Sequence, residues 1–138
     1  MPLRYISIDD LSAIIKSEKR PGKDYLIVDV RDDDYIGGNI INCHNYPSVT
    51  LLDKLDDLVK DTRDVPQVIF HCALSQLRGP KAARLYNERR NRQQKDQDVP
   101  HEVLILRGGF TEFQAKFKDD PQLVENWDKD IWAAEWSR

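Results

Sequence analysis

The sequence predicts an α/β fold with a mainly parallel sheet and helices on both faces. Short apolar runs alternate with helix-forming segments along most of the 138 residues, which is the pattern of successive βαβ units. The run Tyr25 to Val30 is almost continuously apolar, as expected for a strand buried on both sides. At this length we expect one domain, residues 1–138, with any ligand bound beyond the carboxyl ends of the strands.

The first half of the chain is predicted to contain three strands and two helices. Leu3 to Ile6 is a short strand, and Ser7 and Asp10 have the spacing of a capping box that begins a helix, which Pro21-Gly22 ends. Beyond an acidic loop closed by glycines, Asn39 to Asn45 is predicted to be a further short strand. Leucines at helical spacing predict an amphipathic helix over about residues 49 to 60. They are Leu51, Leu52, Leu55 and Leu58.

The second half continues the alternation and ends in a tail. Gln67 to His71 is predicted to be a strand, Pro80 to about Arg90 a helix, and Asn91 to Pro100 a polar connector. Val103 to Leu106 is the next strand, and Phe110 to Phe117 resumes helical spacing. Residues 118–138 are expected to dock a helix on the domain, since aromatic side chains are mostly core material; a partner-binding helix is the alternative. The large apolar residues of this tail are Trp127, Ile131, Trp132 and Trp136.

Composition argues against several classes of protein. A formal net charge of −3 gives no general attraction to nucleic acid. No apolar run approaches the roughly 20 residues of a membrane span, and Met1-Pro2-Leu3-Arg4 lacks the apolar segment of a secretory signal. Two cysteines argue for reduced thiols and hence a cytoplasmic or nuclear protein. The three histidines and two cysteines are scattered, so no metal site is predicted and no cofactor is expected.

The stretch from Val68 to Pro80 carries the functional signal. An apolar strand leads to Cys72, five residues follow, and then comes Arg78, directly before Gly79-Pro80. Proline is tolerated at the start of a helix, so the intervening loop lies at a helix N-terminus, where backbone N–H groups can bind a tetrahedral anion. Arg78 adds a planar cationic fork that binds two oxygens. The same positive field favours the thiolate of Cys72, which is the nucleophilic form.

Cys72 and Arg78 are therefore the predicted catalytic residues. Arg78 and the loop before it would bind the anionic substrate. The loop residues are Ala73, Leu74, Ser75, Gln76 and Leu77. A cysteine that merely packs at the end of a strand is the alternative, but it leaves Arg78 unexplained.

The segment His71-Cys72-Ala73-Leu74-Ser75-Gln76-Leu77-Arg78-Gly79-Pro80 resembles the active-site loop of rhodanese-fold dual-specificity phosphatases of the cell-division-cycle twenty-five type. It resembles equally that of the related eukaryotic arsenate reductases. The resemblance spans about residues 3 to 117 and implies a single rhodanese-like domain with a five-stranded, mainly parallel sheet. Three more segments match family motifs in the same order: Ile27-Val28-Asp29-Val30-Arg31, Tyr35-Ile36-Gly37-Gly38-Asn39-Ile40 and Leu104-Ile105-Leu106-Arg107-Gly108-Gly109-Phe110.

Some positions depart from the family pattern. Ala73 and Leu77 stand where family phosphatases carry glutamates, one of them a candidate proton donor, so this loop has no carboxylate. Val30 stands in place of the family's backup cysteine, and Asn39 in place of a histidine. The residues that could serve as general acid by type, although each is more simply an exposed carboxylate, are Asp32, Asp33, Asp34 and Glu112.

The resemblance implies a cysteine-dependent tyrosine or dual-specificity protein phosphatase, acting on a phosphorylated protein or a small aryl phosphate. The Cys72 thiolate would attack phosphorus and form a cysteinyl-phosphate that water then hydrolyses. The Ser75 hydroxyl would donate a hydrogen bond to the departing thiolate. His71, Asp29 and Arg31 would support the loop.

Two further functions stay open. Arsenate has the shape and charge of phosphate, so the same loop would suit an arsenate reductase supplied by glutathione and glutaredoxin, with Cys43 as a resolving thiol or simply a packed strand cysteine. A sulfurtransferase is disfavoured, because rhodaneses usually have one residue fewer between cysteine and arginine. The last alternative is a catalytically silent phosphate-binding scaffold, guided to a partner by the tail or by a basic cluster that the helix macrodipole also explains. That cluster is Arg89, Arg90, Arg92 and Lys95.

Overall fold

The structure, a computed structural model, describes residues 3–93 and 101–136. The strands are β1 (Leu3–Ile6), β2 (Tyr25–Asp29), β3 (Asn39–Ile40), β4 (His44–Asn45), β5 (Gln67–His71), β6 (Glu102–Leu106) and β7 (Val124–Glu125). The helices are α1 (Ile8–Lys16), α2 (Leu51–Asp61), α3 (Arg78–Gln93), α4 (Gly109–Phe117) and α5 (Lys129–Trp136). A single 3-10 turn, Ser48–Thr50, precedes α2.

The main sheet has five strands in the order β1-β6-β5-β2-β4, and every neighbouring pair is parallel. One apolar layer lies between this sheet and helices α2 and α3, and a second lies between the sheet and helices α1 and α4. The predicted α/β fold, with a five-stranded parallel sheet and helices on both faces, is confirmed. β5 lies at the centre of the sheet, and its Val68, Ile69 and Phe70 are fully buried, as the apolar run requires.

The strand predicted over Asn39 to Asn45 is two strands in two sheets. β3 pairs antiparallel with β7, whereas β4 lies parallel to β2 at the edge of the main sheet. The chain turns between them at Asn42, whose φ of 60° is left-handed. Asparagine tolerates that conformation better than most residues, so a turn interrupts what the apolar pattern presented as one segment.

Several boundaries and one buried position also differ from the prediction. α1 ends at Lys16, before Pro21-Gly22. α3 begins at Arg78 rather than Pro80 and continues to Gln93, so the first residues of the predicted connector are helical; residues 94–100 lie outside the described part. Pro80 still falls in the first turn, where a missing N–H leaves no intrahelical bond unmade. On α2, Leu52 is 64% exposed, and Val59 takes the buried position instead.

The tail packs on the domain through the buried Leu123 and Val124 and through two indoles. Trp127 and Trp132 contact the apolar layer on the α4 side of the sheet. The Nε1 of Trp127 donates to Gln114 Oε1 at 2.8 Å, and that of Trp132 donates to the Gly37 carbonyl at 2.8 Å. The side chain of Trp136 lies outside the described residues. Among the described helices, none has the length and apolar content needed to cross a membrane.

Candidate active site

Cys72 follows β5 directly, at the carboxyl end of the central strand. Its side chain is almost completely buried, and its Sγ accepts hydrogen bonds from the backbone N–H groups of Ser75 at 3.3 Å and Gly79 at 3.4 Å. Ser75 has a φ of 56°, so the loop folds back over the sulfur. Amides converging at the start of a helix make this an electropositive seat.

Gly79 lets α3 begin close to the end of β5. A Cβ at this position would lie 3.2 Å from both the Cys72 nitrogen and the His71 Cα, closer than nearly all real contacts of a Cβ. Glycine is therefore the residue that allows the first turn of α3 to reach the sulfur with an N–H group.

The N-terminus of α4 holds the carbonyl groups of the loop. The N–H of Phe110 donates to the Cys72 carbonyl at 3.0 Å, and the N–H of Thr111 donates to the Ala73 carbonyl at 2.9 Å. Gly109, with a φ of 62°, lies so close that a Cβ would be 2.6 Å from the Cys72 oxygen and nearer still to that of Ala73. These bonds to α4 hold the carbonyl groups of the loop, while the sulfur accepts from the N–H groups of Ser75 and Gly79.

The resemblance of the segment with Gly108-Gly109-Phe110 to a family motif does not by itself predict this contact. The position of the two glycines does indicate it, because they follow β6, the strand that lies beside β5 in the sheet. A helix that begins after an adjacent parallel strand places its N–H groups at the same edge of the sheet.

Arg78, the first residue of α3, is bound by two carboxylates of the loop after β2. Its Nη1 and Nη2 donate to the two oxygens of Asp34 at 2.8 and 2.6 Å, and Nη1 also donates to Asp32 Oδ2 at 3.3 Å. The hydrogen bonds from Arg78 hold the pKa of Asp34 below its usual range. Asp34, and to a smaller extent Asp32, raise the pKa of Arg78 above its already high ordinary value.

Asp32 has two hydrogen-bond donors besides Arg78. The Ser48 hydroxyl donates to it at 2.5 Å and the Val49 N–H at 3.1 Å. Partial burial opposes ionisation of Asp32, yet the hydrogen bonds from Ser48, Val49 and Arg78 together lower its pKa. Both carboxyl groups are therefore ionised near neutral pH in this arrangement, and neither is a ready proton donor.

Two of the four candidate acids thus lie at Arg78. Asp33, in the same loop, has an exposed side chain, and Glu112 is exposed on the first turn of α4. Glu112 lines a shallow pocket on the other side of the loop with Ser75 and Arg107.

Asp29 and Arg31 form a buried ion pair beneath the loop. The Nη2 of Arg31 lies 2.8 Å from Asp29 Oδ2, and its Nε donates to both carboxylate oxygens. Nη2 also donates to the Gly38 carbonyl at 2.9 Å. The guanidinium lies 4.4 Å from the centroid of the Phe110 ring and 5.0 Å from that of Tyr35. This pair joins β2 to α4, which holds the loop.

His71 is fully buried between Asp29 and the loop. Its Nδ1 lies 3.0 Å from the Cys72 carbonyl oxygen, and its Nε2 lies 3.7 Å from Asp29 Oδ2. Burial lowers the pKa of His71 despite the opposing effect of Asp29, so the ring is neutral near pH 7. The position suits a residue that supports the loop.

The loop residues predicted to bind substrate through their backbone N–H groups differ in the exposure of their side chains. Leu74, Gln76 and Leu77 are exposed, Ala73 is half-buried, and Ser75 is buried. Within the described residues, the Ser75 hydroxyl has no hydrogen-bond partner, and it is the Ser75 amide that contacts the sulfur.

Cys43 lies apart from this loop, in the turn between β3 and β4. Its Sγ is 3.6 Å from Asn39 Nδ2 and 3.8 Å from the Tyr35 hydroxyl. Burial, reinforced by Asp29, raises the pKa of Cys43 to about 11. A thiol that stays protonated at neutral pH is a poor resolving nucleophile. Asn39 itself donates to Glu125 at 2.8 Å and so ties β3 to β7.

The basic cluster is partly structural. Arg90 is buried and donates to the carbonyls of Thr62 and Arg63 beyond the end of α2, and Arg89 pairs with Asp56. Arg92 is exposed, and Lys95 lies outside the described residues. Across residues 3–93 and 101–136, no three His, Cys, Asp or Glu side chains are grouped so that they could hold a metal ion.

Comparison with known proteins agrees with this geometry. The rhodanese-like domain family matches residues 7–116. The dual specificity phosphatase ibp1 of Schizosaccharomyces pombe is 36% identical over 137 residues, covering 89% of this chain and 96% of that protein. Arsenate reductase 2.2 of Oryza sativa subsp. japonica is 35% identical over 85 residues, covering 61% of this chain and 65% of the relative.

A solved structure also resembles the whole fold. The yeast protein tyrosine phosphatase of the rhodanese family superposes with a TM-score of 0.75 at 29% identity, covering 94% of this chain and 96% of its own. Curated relatives thus include both phosphatases and arsenate reductases.

Proposed function

Because the chain belongs to the rhodanese-like domain family, we propose that it is a cysteine-dependent protein phosphatase of tyrosine or dual specificity. Cys72 is the nucleophile, and Arg78 with the loop amides binds the phosphoryl oxygens. The observation that carries the proposal is the convergence of two backbone N–H groups on the Cys72 sulfur, at the start of a helix whose first residue is an arginine.

The reaction proceeds in two displacements. The thiolate attacks phosphorus in line with the leaving oxygen and forms a cysteinyl-phosphate, while the amides and Arg78 stabilise the equatorial oxygens. Water then attacks phosphorus, and the thiolate leaves. In this second step the amides of Ser75 and Gly79, which already donate to the sulfur, stabilise its returning negative charge.

The leaving group decides how fast the first step runs. The loop carries no carboxylate, and the two carboxylates at Arg78 have lowered pKa values. An alkoxide leaving group needs a proton from a general acid, whereas an aryl oxide leaves more readily without one. We therefore expect aryl phosphates, including phosphotyrosine, to turn over faster than phosphoserine peptides. Equal rates on p-nitrophenyl phosphate and on phosphoserine would contradict this.

The test is a parallel assay of aryl phosphate hydrolysis by the wild type and three variants. Cys72→Ser and Arg78→Lys are expected to lower kcat/KM by at least about a thousandfold, because the nucleophile and the bidentate anion clamp are lost. Cys43→Ser is the matched control and should retain activity, since that thiol lies outside the loop. Hydrolysis that survives in Cys72→Ser, or none in the wild type, would refute the proposal.

Arsenate reduction is the second candidate function. Arsenate presents the same tetrahedral oxygens to the loop, and the relatives include an arsenate reductase 35% identical over the matched region. The Cys72 thiolate would form a covalent adduct with arsenate, and glutathione with glutaredoxin would supply the two electrons that yield arsenite and a disulfide. A wild-type rate of arsenate reduction that requires Cys72 and exceeds aryl phosphate hydrolysis would favour this function.

A further inference from the structure

We propose that Asp34 is an internal anion that holds the guanidinium of Arg78 and must be displaced when a phosphate or arsenate oxyanion binds. The inference rests on the proposed function, since it assigns Arg78 to the oxyanion. It adds a residue from a different loop that sets the affinity for the anion. Asp34 would thus be a positioning residue that acts through Arg78.

The first argument is geometric. Asp34 engages the terminal edge of the guanidinium with both oxygens, at 2.8 and 2.6 Å. This is the bidentate arrangement by which arginine binds phosphate oxygens. An oxyanion that uses the same edge of Arg78 has to replace Asp34 there.

The second argument is charge. One guanidinium faces two carboxylates, Asp34 and Asp32, so the cluster is net negative. A phosphate dianion placed beside both carboxylates would be repelled by them. Binding is favourable when one carboxylate moves away.

The third argument identifies which carboxylate moves. Asp32 keeps two further donors, Ser48 and Val49, after losing Arg78, and its side chain is 21% exposed. Asp34 accepts from the Asp32 amide in addition to Arg78, and its side chain is 43% exposed. Apart from its bonds to Arg78, Asp34 therefore has one donor where Asp32 has two, and its side chain reaches water more easily. The oxyanion thus displaces Asp34 and leaves Asp32 in place.

Asp33 offers a matched control. It belongs to the same loop and carries the same charge, but its side chain is exposed and takes no part in the contacts with Arg78. Asp33→Asn thus changes the net charge by the same amount as Asp34→Asn but leaves the hydrogen bonds of Arg78 to Asp34 and Asp32 intact.

The experiment measures binding of inorganic phosphate without turnover. Phosphate in the loop should shield Cys72 from iodoacetamide, and peptide mass spectrometry gives the labelling rate of Cys72 at each phosphate concentration. Asp34→Asn and Asp34→Ser are expected to lower the Kd for phosphate roughly three- to tenfold, whereas Asp33→Asn should leave it near the wild-type value. A loosened loop would weaken binding, so a gain of affinity separates competition from structural damage.

Three results would overturn the inference: an unchanged or weaker affinity in both Asp34 variants, an equal gain in Asp33→Asn, or no protection by phosphate in any of the proteins. Far-UV circular dichroism identifies a variant that fails to fold. If one Asp34 variant does not fold, the phosphate affinity of the other Asp34 variant tests the inference. The two proposals fail separately. Aryl phosphate hydrolysis with unchanged phosphate affinity in the Asp34 variants contradicts only this inference, and the expected affinities without any turnover contradict only the phosphatase function.

Discussion

Arg31 is only 1% exposed, and burying a guanidinium is tolerated only where other polar groups replace water. The Asp29 carboxylate and the Gly38 carbonyl do so here, and Phe110 and Tyr35 present ring faces to the cation. Removing one partner would leave an uncompensated charge next to the loop. Buried polar residues of this kind hold their neighbours in one arrangement.

His101 makes stability depend on pH in the acid range. Burial, and secondarily Arg90, lower its pKa to about 4, below the unfolded value of about 6.5. As the pH falls, the unfolded chain therefore takes up a proton at His101 before the folded protein does. The contribution of neutral His101 to the free energy of unfolding is complete above about pH 6.5 and is lost as the pH drops toward about 4. The melting temperature of the wild type should drop roughly 5 °C more than that of His101→Gln between pH 7 and pH 4.5.

The exposed His44 supplies the control for this measurement. His44→Gln should follow the wild-type dependence of melting temperature on pH. Parallel curves for the wild type and His101→Gln would show that burial of His101 does not cause the acid sensitivity. Because His71 is also buried with a lowered pKa, part of the sensitivity should remain in every variant.

The elements that build the site meet through close backbone contacts. α3 approaches β5 at Gly79, and α4 approaches the loop at Gly109. The two helices act differently on the same loop: α3 donates to the sulfur, and α4 binds the carbonyls behind it. Both helices begin at the same edge of the sheet because β5 and β6 are adjacent and parallel.

Gly109→Ala should destabilise the protein by more than the strain of a left-handed φ alone would. The added Cβ would collide with the carbonyls of Cys72 and Ala73, so α4 would have to move away from the loop. Gly22→Ala is the matched control, because Gly22 also has a left-handed φ but nothing lies within 4 Å of the added Cβ. We expect a cost of about 1 kcal/mol for Gly22→Ala, from backbone strain alone, and of at least about 3 kcal/mol for Gly109→Ala.

Urea denaturation measures both free energies of unfolding, and aryl phosphate hydrolysis reports the loop. Only Gly109→Ala should lower kcat/KM, by roughly tenfold or more. Similar losses of stability and activity in the two variants would mean that the contact between α4 and the loop matters little.

Over the whole molecule, the tail is connected to the site through a chain of aromatic contacts. The Trp132 and Phe110 rings are 5.9 Å apart, and Phe110 in turn packs on Arg31. Trp132 also donates to the Gly37 carbonyl, next to the Gly38 carbonyl that binds Arg31. The tail therefore covers the residues that position the loop.

Trp132→Ala should lower the free energy of unfolding by about 2 kcal/mol, less than a fully buried tryptophan would, because this side chain is half-buried. It should also lower kcat/KM, since Phe110 and Gly37 lose their cover. Trp132→Phe keeps a ring against Phe110 and should recover most of the stability while losing the hydrogen bond to Gly37. Wild-type stability and activity in Trp132→Ala would show that the tail is independent of the site.

The order of strands and helices could be predicted from the sequence because apolar periodicity is a local property. The placement of Cys72 after a strand and of Arg78 at a helix start could be predicted for the same reason, since a strand, a loop and a helix follow one another there. The split of Asn39 to Asn45 could not, because the partner of β3 is β7, far along the chain. Nor could the partners of Arg78, since three successive aspartates give no sign that the first and third turn toward α3 and the second does not.

The central position of β5 has a consequence for the lifetime of the site. β5 has a bonded neighbour on each side, β2 and β6, so its amides exchange with solvent only when the sheet itself opens. β4 at the edge can fray first and expose its own amides without disturbing β5. The strand that carries Cys72 is therefore expected to stay in place through partial openings at the edge of the sheet, which are the openings that a protease exploits first.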